Sequence, residues 1–323
     1  METFSIRPQS CLQLLEKYAA NRLHGTSFKL RFAEVGGRDV YNITAPFEAE
    51  GVAVIAGRVE ARDSEDAEIA FFAEWDGVWR PLPRIPSLPY QDPFVCAIGG
   101  EWIVGGVEAW AIPNDPNGFS CWRTVFFRGR TLGELRHFAT GPDLMKDIRL
   151  LELPDGRIAV CTRPQGAVGG LGQIGFTLLD SLEQLTAQRL EQATIYTDQF
   201  IPEEWGGANE LHLLSNGDIG VLGHIARYDE EGDRHYYPMT FAIRPDTGAR
   251  TEMKIIAVRD DFEPGSAKRP DLTDILFSGG LKRLPGGRAA LYVGASDAEA
   301  HVMLLPDPFL EYEQGSRDAL YIA

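Results

Sequence analysis

Five short polar residues recur in the same local setting: Asn42, Asp92, Asp147, Glu210 and Asp274. Each leads an apolar stretch that runs into a glycine turn and then a second apolar stretch. Asp147-Ile-Arg-Leu-Leu, Asp155-Gly156 and Ile158-Ala-Val is one copy; Glu210-Leu-His-Leu-Leu, Asn216-Gly217 and Ile219-Gly-Val-Leu is another. Carboxylates and amides exchange hydrogen bonds with hydroxyls, and a carboxylic acid can protonate a leaving oxygen, so five such groups brought together would suit a sugar. Taken singly, each is equally a turn-initiating Asx-type residue. Five in register point towards function.

Cations follow the same segments. Arg58, Lys146, Arg163 and His224 stand within or beside the repeats, in Ala56-Gly-Arg58, Met145-Lys-Asp147, Cys161-Thr-Arg163-Pro and Gly223-His-Ile225. Arg163 and His224 are expected at the ends of the second apolar strands. Gathered around one channel they would form a local anion site. The simpler alternative is ion pairing with the neighbouring carboxylates.

What would gather them is the repeat itself. The lead residues lie 50, 55, 63 and 64 positions apart. Units of that length hold about four short strands each, which fits five propeller blades whose innermost strands line a central channel. The spacing exceeds the ~40–45 residues of a WD40 blade. A two-sheet sandwich with repeated hairpins is the alternative. The expected architecture is all-β: a helical extension over 1–25, then a five-bladed β-propeller over 26–323. The helix is predicted at Cys11–Ala20, with Ser10 as N-cap; a weaker helical signal covers Asp180–Leu190.

Composition excludes other classes. The 323 residues carry 47 acidic and 31 basic side chains, a net charge of −16. Such a surface repels nucleic-acid phosphates and anionic lipid, so neither nucleic acid nor membrane is an expected partner. No apolar run approaches the ~20 residues of a membrane span, and Met1–Gly25 shows no signal peptide. Cys11, Cys96, Cys121 and Cys161 lack paired spacing and read as buried thiols of a cytoplasmic protein. The six His show no metal-ligand spacing, so no metal or cofactor is expected. Gly170-Leu-Gly-Gln-Ile-Gly175 matches G-x-G-x-x-G but lacks the strand before and helix after it, and reads as a flexible loop. No G-x-S-x-G elbow occurs.

Seven segments carry a resemblance. Tyr41-Asn-Ile-Thr-Ala-Pro-Phe47, Gly57-Arg-Val-Glu60, Gln91-Asp-Pro-Phe94, Met145-Lys-Asp-Ile-Arg149, Thr162-Arg-Pro-Gln-Gly166, Gly207-Ala-Asn-Glu-Leu-His212 and Asp274-Ile-Leu-Phe-Ser-Gly-Gly280 resemble the bacterial and Leishmania family once catalogued as domain of unknown function 1861. That family is grouped with the β-1,2-mannan mannosyltransferase/phosphorylases, glycosyltransferase family 108, and is related to the mannoside phosphorylases of glycoside hydrolase family 130. The resemblance covers nearly all of the chain after Gly25. It implies a five-bladed propeller and inverting phosphorolysis of β-1,2-linked mannosides to α-mannose 1-phosphate, or the reverse synthesis. The partners are then an oligosaccharide and inorganic phosphate as co-substrate.

By the same resemblance, Asp92 matches the proton donor, Arg163, Lys146 and His224 match phosphate-holding positions, and Arg123 and Tyr236 extend that set. Asn42, Arg58 and Asp274 match positions that hold the mannose ring. Asn42 stands where related sugar propellers carry an aspartate nucleophile or base. A single acid beside cations suits attack by phosphate, already an anionic nucleophile. Asp147 and Glu210 are the candidate bases for an inverting hydrolase. A nucleotide-sugar-dependent transferase and a non-catalytic sugar-binding propeller complete the alternatives.

Overall fold

The computed structural model describes residues 8–23, 25–112, 120–314 and 321–322, the last pair by backbone alone. Its strands form five antiparallel sheets arranged as the blades of a β-propeller. Blade I places Asp39–Tyr41 and Phe47–Ala49 on its inner edge, followed by Val52–Glu60, Ala67–Trp75 and Val78–Pro81. Blade II runs Gln91–Ile98, Glu101–Ala111, Ser120–Gly129 and Arg136–Thr140; blade III runs Arg149–Glu152, Ile158–Thr162, Gly175–Leu179 and Thr194–Ile195. Blade IV is built on Glu204–Leu213, Ile219–Tyr228 and Arg234–Ile243, with Arg250–Thr251, Lys254–Ile255 and Tyr321–Ile322 on its outer side.

Blade V closes the ring. Leu276–Leu284, Arg288–Ala295 and Glu299–Pro306 are its inner three strands, and the early strand Thr26–Lys29 pairs antiparallel with Glu299–Pro306 as the fourth. Two distant parts of the chain therefore share one sheet, which ties the first blade to the last.

Each blade is covered by a neighbour on both faces, so its middle strands are buried continuously rather than alternately; seven successive residues of Val52–Glu60 are buried. Apolar clusters fill the blade interfaces. Phe71, Val104 and Phe127 join blades I and II, Phe126, Ile148 and Val160 join II and III, and Ala300 reaches Ile43 and Phe72 between V and I.

The predicted helix forms over Cys11–Ala20, with a Ser10–Gln13 capping box. It is docked rather than projecting. Cys11, Leu14 and Tyr18, spaced along one face, enter the core shared by blades III and IV, and the Cys11 N–H donates to Glu204 at 2.8 Å. The weaker signal resolves into a 3-10 turn at Leu182–Gln184 and a short helix at Ala187–Glu191, divided where Thr186 caps the second piece.

Candidate active site

The inner strands and the segments entering them deliver side chains into one cavity of about 430 Å³ at one end of the channel. Asn42 sits in the break between the two inner strands of blade I, and Asp147 lies two residues before its strand. Asp92 sits at a bulge, where the register with Glu101–Ala111 shifts between Gln91 and Phe94. All three have left-handed backbones, with φ of 46°, 48° and 56°, as does Asp297 at 50°. Among non-glycine residues, Asn and Asp best tolerate that region. In these three blades the polar lead thus has a backbone reason: it turns the chain and aims a short polar side chain into the channel; Glu210 and Asp274 lack this left-handed backbone.

Asp92 is buried and accepts from Asn42 Nδ2 at 2.8 Å and Arg58 Nη1 at 3.2 Å. Arg58 is backed by Glu60, itself fully buried and bonded to Lys268 and Tyr41. Burial pushes the Asp92 carboxyl up, but Arg58, Lys146 and Asn42 outweigh it and hold the group below the ordinary carboxylate range. Asp297 lines the same cavity. Burial raises it to about 6, against the pull of Arg58; the negative charge of Asp92 adds to the rise.

The cationic side comes from blades III and IV. Arg163, only 2% exposed, donates from Nη1 to Asp147 at 3.0 Å and from Nε to the Gly206 carbonyl at 2.8 Å. A Cβ on Gly207 would stand 2.7 Å from Arg163 Cδ and 3.0 Å from His224 Cε1, so the absence of a side chain there makes room for both. Arg149 holds the other oxygen of Asp147 at 3.4 Å. Burial pushes Asp147 up, yet Arg163 and Arg149 prevail and hold it at about 2. Lys146 makes no hydrogen bond or ion pair among the described residues, and it faces the cavity.

The His224 ring lies between Tyr236, stacked at 5.3 Å, and Phe277 at 5.5 Å. Burial, reinforced by Arg163, lowers its pKa to about 3, so the imidazole is neutral. Its Nδ1–H donates to Asn209 Oδ1 at 2.8 Å, which leaves Nε2 without a protein partner. The positive charge of this wall therefore rests on Arg163 and Lys146. His224 contributes a ring nitrogen and shape. It also stands mid-strand rather than at a strand end, because Ile219–Tyr228 runs further than its apolar start.

Asn42, Arg58, Asp92, Lys146, Asp147, Arg163, His224 and Tyr236 all line this cavity. Three expected members stand elsewhere. A bulge between Ala208 and Glu210 turns Glu210 towards a smaller cavity of about 220 Å³ beyond the site, where its carboxylate accepts from the Leu281 N–H and meets His212. Asp274 turns to His235, at 2.6 Å, and Tyr237, on the strand face opposite to Tyr236. Arg123 pairs with Glu108 at 2.7 Å and reaches Asp143.

Asp297, Asn209, Arg149 and Glu60 escape sequence reading. Asp297 lies in a hairpin turn outside the repeat, where only its left-handed backbone could signal it. Asn209 occupies the bulge, one residue before the expected lead.

The fold and this cavity define a propeller whose channel carries a buried carboxylate and a cationic wall in one cavity. Residues 16–311 match the family model described as protein of unknown function (DUF1861), and the chain belongs to that family. It is similar to MPT-4, a mannose phosphorylase from Leishmania mexicana whose structure was solved with a phosphate ion: 35% identity, 93% of each chain covered, TM-score 0.84. It is also similar to MPT-1, a GDP-Man-dependent mannosyltransferase from Leishmania mexicana, at 28% identity, 95% of this chain and 96% of that one, TM-score 0.84. A β-1,2-mannobiose phosphorylase from Listeria innocua shares the fold at 12% identity, over 90% of this chain and 93% of that one, TM-score 0.57. No curated protein matches the chain in sequence.

Proposed function

We propose that this protein is an inverting phosphorylase of β-1,2-linked mannosides, producing α-mannose 1-phosphate or running the reverse synthesis. One observation carries the reading: Asp92 and the group Arg163, Lys146, His224 and Tyr236 line a single cavity. Phosphate on the cationic side would attack the anomeric carbon, while the leaving oxygen takes a proton supplied by Asp92. The low pKa of Asp92 in the free protein means that substrate must raise it, by excluding water and by screening Arg58. Asn42, Arg58 and Asp297 surround the acid and are suited to the hydroxyls of the reacting mannose. The likeness to a mannose phosphorylase solved with phosphate supports the same assignment.

Hydrolysis has less support. It needs a second carboxylate as base. Glu210 is outside the cavity, Asp147, held at about 2 by two arginines, is a weak proton acceptor, and Asp297 stands on the acid's own side, with Arg58 and Asp92 as its strongest charged neighbours, rather than on the side from which water would attack. Transfer from a nucleotide sugar has the likeness to the GDP-Man-dependent transferase in its favour. Incubation with β-1,2-mannobiose, with and without phosphate, tests the proposal. Mannose should be released only when phosphate is present; equal release without phosphate would refute phosphorolysis.

A further inference from the structure

Trp122 lies on the third strand of blade II, farther from the channel axis than the inner-strand residues, yet it lines the cavity. Three aromatic side chains do so: Trp122, Tyr236 and Phe277. Tyr236 and Phe277 are occupied in flanking the His224 ring. No other aromatic ring lies against Trp122 among the described residues, and the side chain is only partly buried.

The indole is nevertheless fixed. Its Nε1–H donates to Gln165 Oε1 at 2.9 Å, and Gln165 Nε2 donates to the Leu171 carbonyl at 2.9 Å. Gln165 thereby ties the indole to the glycine-rich segment 170–175. That segment is compact and also seats the anion wall: a Cβ on Gly172, whose φ is +143°, would fall 2.8 Å from the Arg163 guanidinium.

Resting on the phosphorylase reading, the geometry points to Trp122 as the stacking platform for the sugar on the leaving-group side. A mannoside with its anomeric carbon between Asp92 and the cationic group has its first ring among buried side chains, so its second ring must extend towards the open mouth. There a pinned, partly buried indole offers an apolar face to the C–H face of a pyranose, while its polar edge is already satisfied.

The test is calorimetric titration of the full chain with β-1,2-mannobiose in the absence of phosphate, and separately with mannose. Trp122→Ala should raise the mannobiose Kd about tenfold and Trp122→Phe less than about threefold, with Gln165→Ala between them. Mannose affinity should not move in any variant, because it occupies the buried subsite. Thermal unfolding of each variant confirms that it is folded. Unchanged mannobiose affinity in Trp122→Ala overturns the platform, as does parallel loss of mannose affinity or a wild type that does not bind mannobiose. If this pattern appears in a protein that proves unable to phosphorolyse, the platform stands and the reaction assignment falls.

Discussion

Asp92 and Asp147 begin as the same device in neighbouring blades. Each is a buried aspartate with a left-handed backbone at the entrance to an inner strand. Their surroundings then diverge. Asp147 has Arg163 on one oxygen and Arg149 on the other, both buried. Asp92 has one arginine, which is shared with Glu60, and one amide. The first is locked as an anion that fixes two guanidiniums. The second faces the cavity with fewer counter-charges on its carboxylate. Position alone does not set how readily a buried aspartate can gain a proton; the number and sharing of its counter-charges does.

The sharpest separation is catalytic. Asp92→Asn should lower turnover about a thousandfold, within the range for a lost general acid. Its stability should change by no more than about 1 kcal/mol, since Arg58 keeps Glu60; steady-state kinetics with urea unfolding checks both. Asp147→Asn should instead destabilise the fold by about 3 kcal/mol or more, because two buried guanidiniums lose their counter-charge. A fully stable Asp147→Asn protein would erase the distinction.

The next effect is in pH. His224, neutral with a folded pKa of about 3 against 6.5, contributes stability that is lost as pH falls below 6.5. Asp297, raised from 3.8 to about 6, contributes stability that is lost as pH rises through 6. The two slopes oppose each other between about pH 6 and 4. Asp297→Asn should therefore be destabilised by acid more steeply than wild type, by up to about 1.4 kcal/mol per pH unit. His224→Gln should shift the slope the other way. Urea unfolding at pH 6, 5 and 4 measures both. The smallest effect is expected from Arg123→Ala, whose ion pairs lie on the surface: within about 0.5 kcal/mol in stability and no measurable change in phosphate KM.

Much of the fold and of the site is legible in the sequence. Asn42, Asp92 and Asp147 are readable because a short polar lead, an apolar strand and a glycine turn recur in register. Glu210 departs from the repeat for a physical reason: a bulge inserts one residue, and with a two-residue strand period one residue moves a side chain to the other face. Asp274 departs from it for a different reason: its carboxylate follows His235 and Tyr237 instead of Tyr236. Asp297 could not be reached by repeat logic, since it belongs to a turn between blade V strands. The helix at Cys11–Ala20 was visible from spacing and capping, but its burial against blades III and IV depends on long-range packing.

The central claim is that one acid and one anion site act on the same bond. Phosphorus NMR of a reaction containing β-1,2-mannobiose and phosphate tests it most directly. The account predicts that the phosphate signal falls as α-mannose 1-phosphate grows in step with free mannose, and that neither changes with the Asp92→Asn protein. Mannose appearing while the phosphate signal stays constant would contradict it.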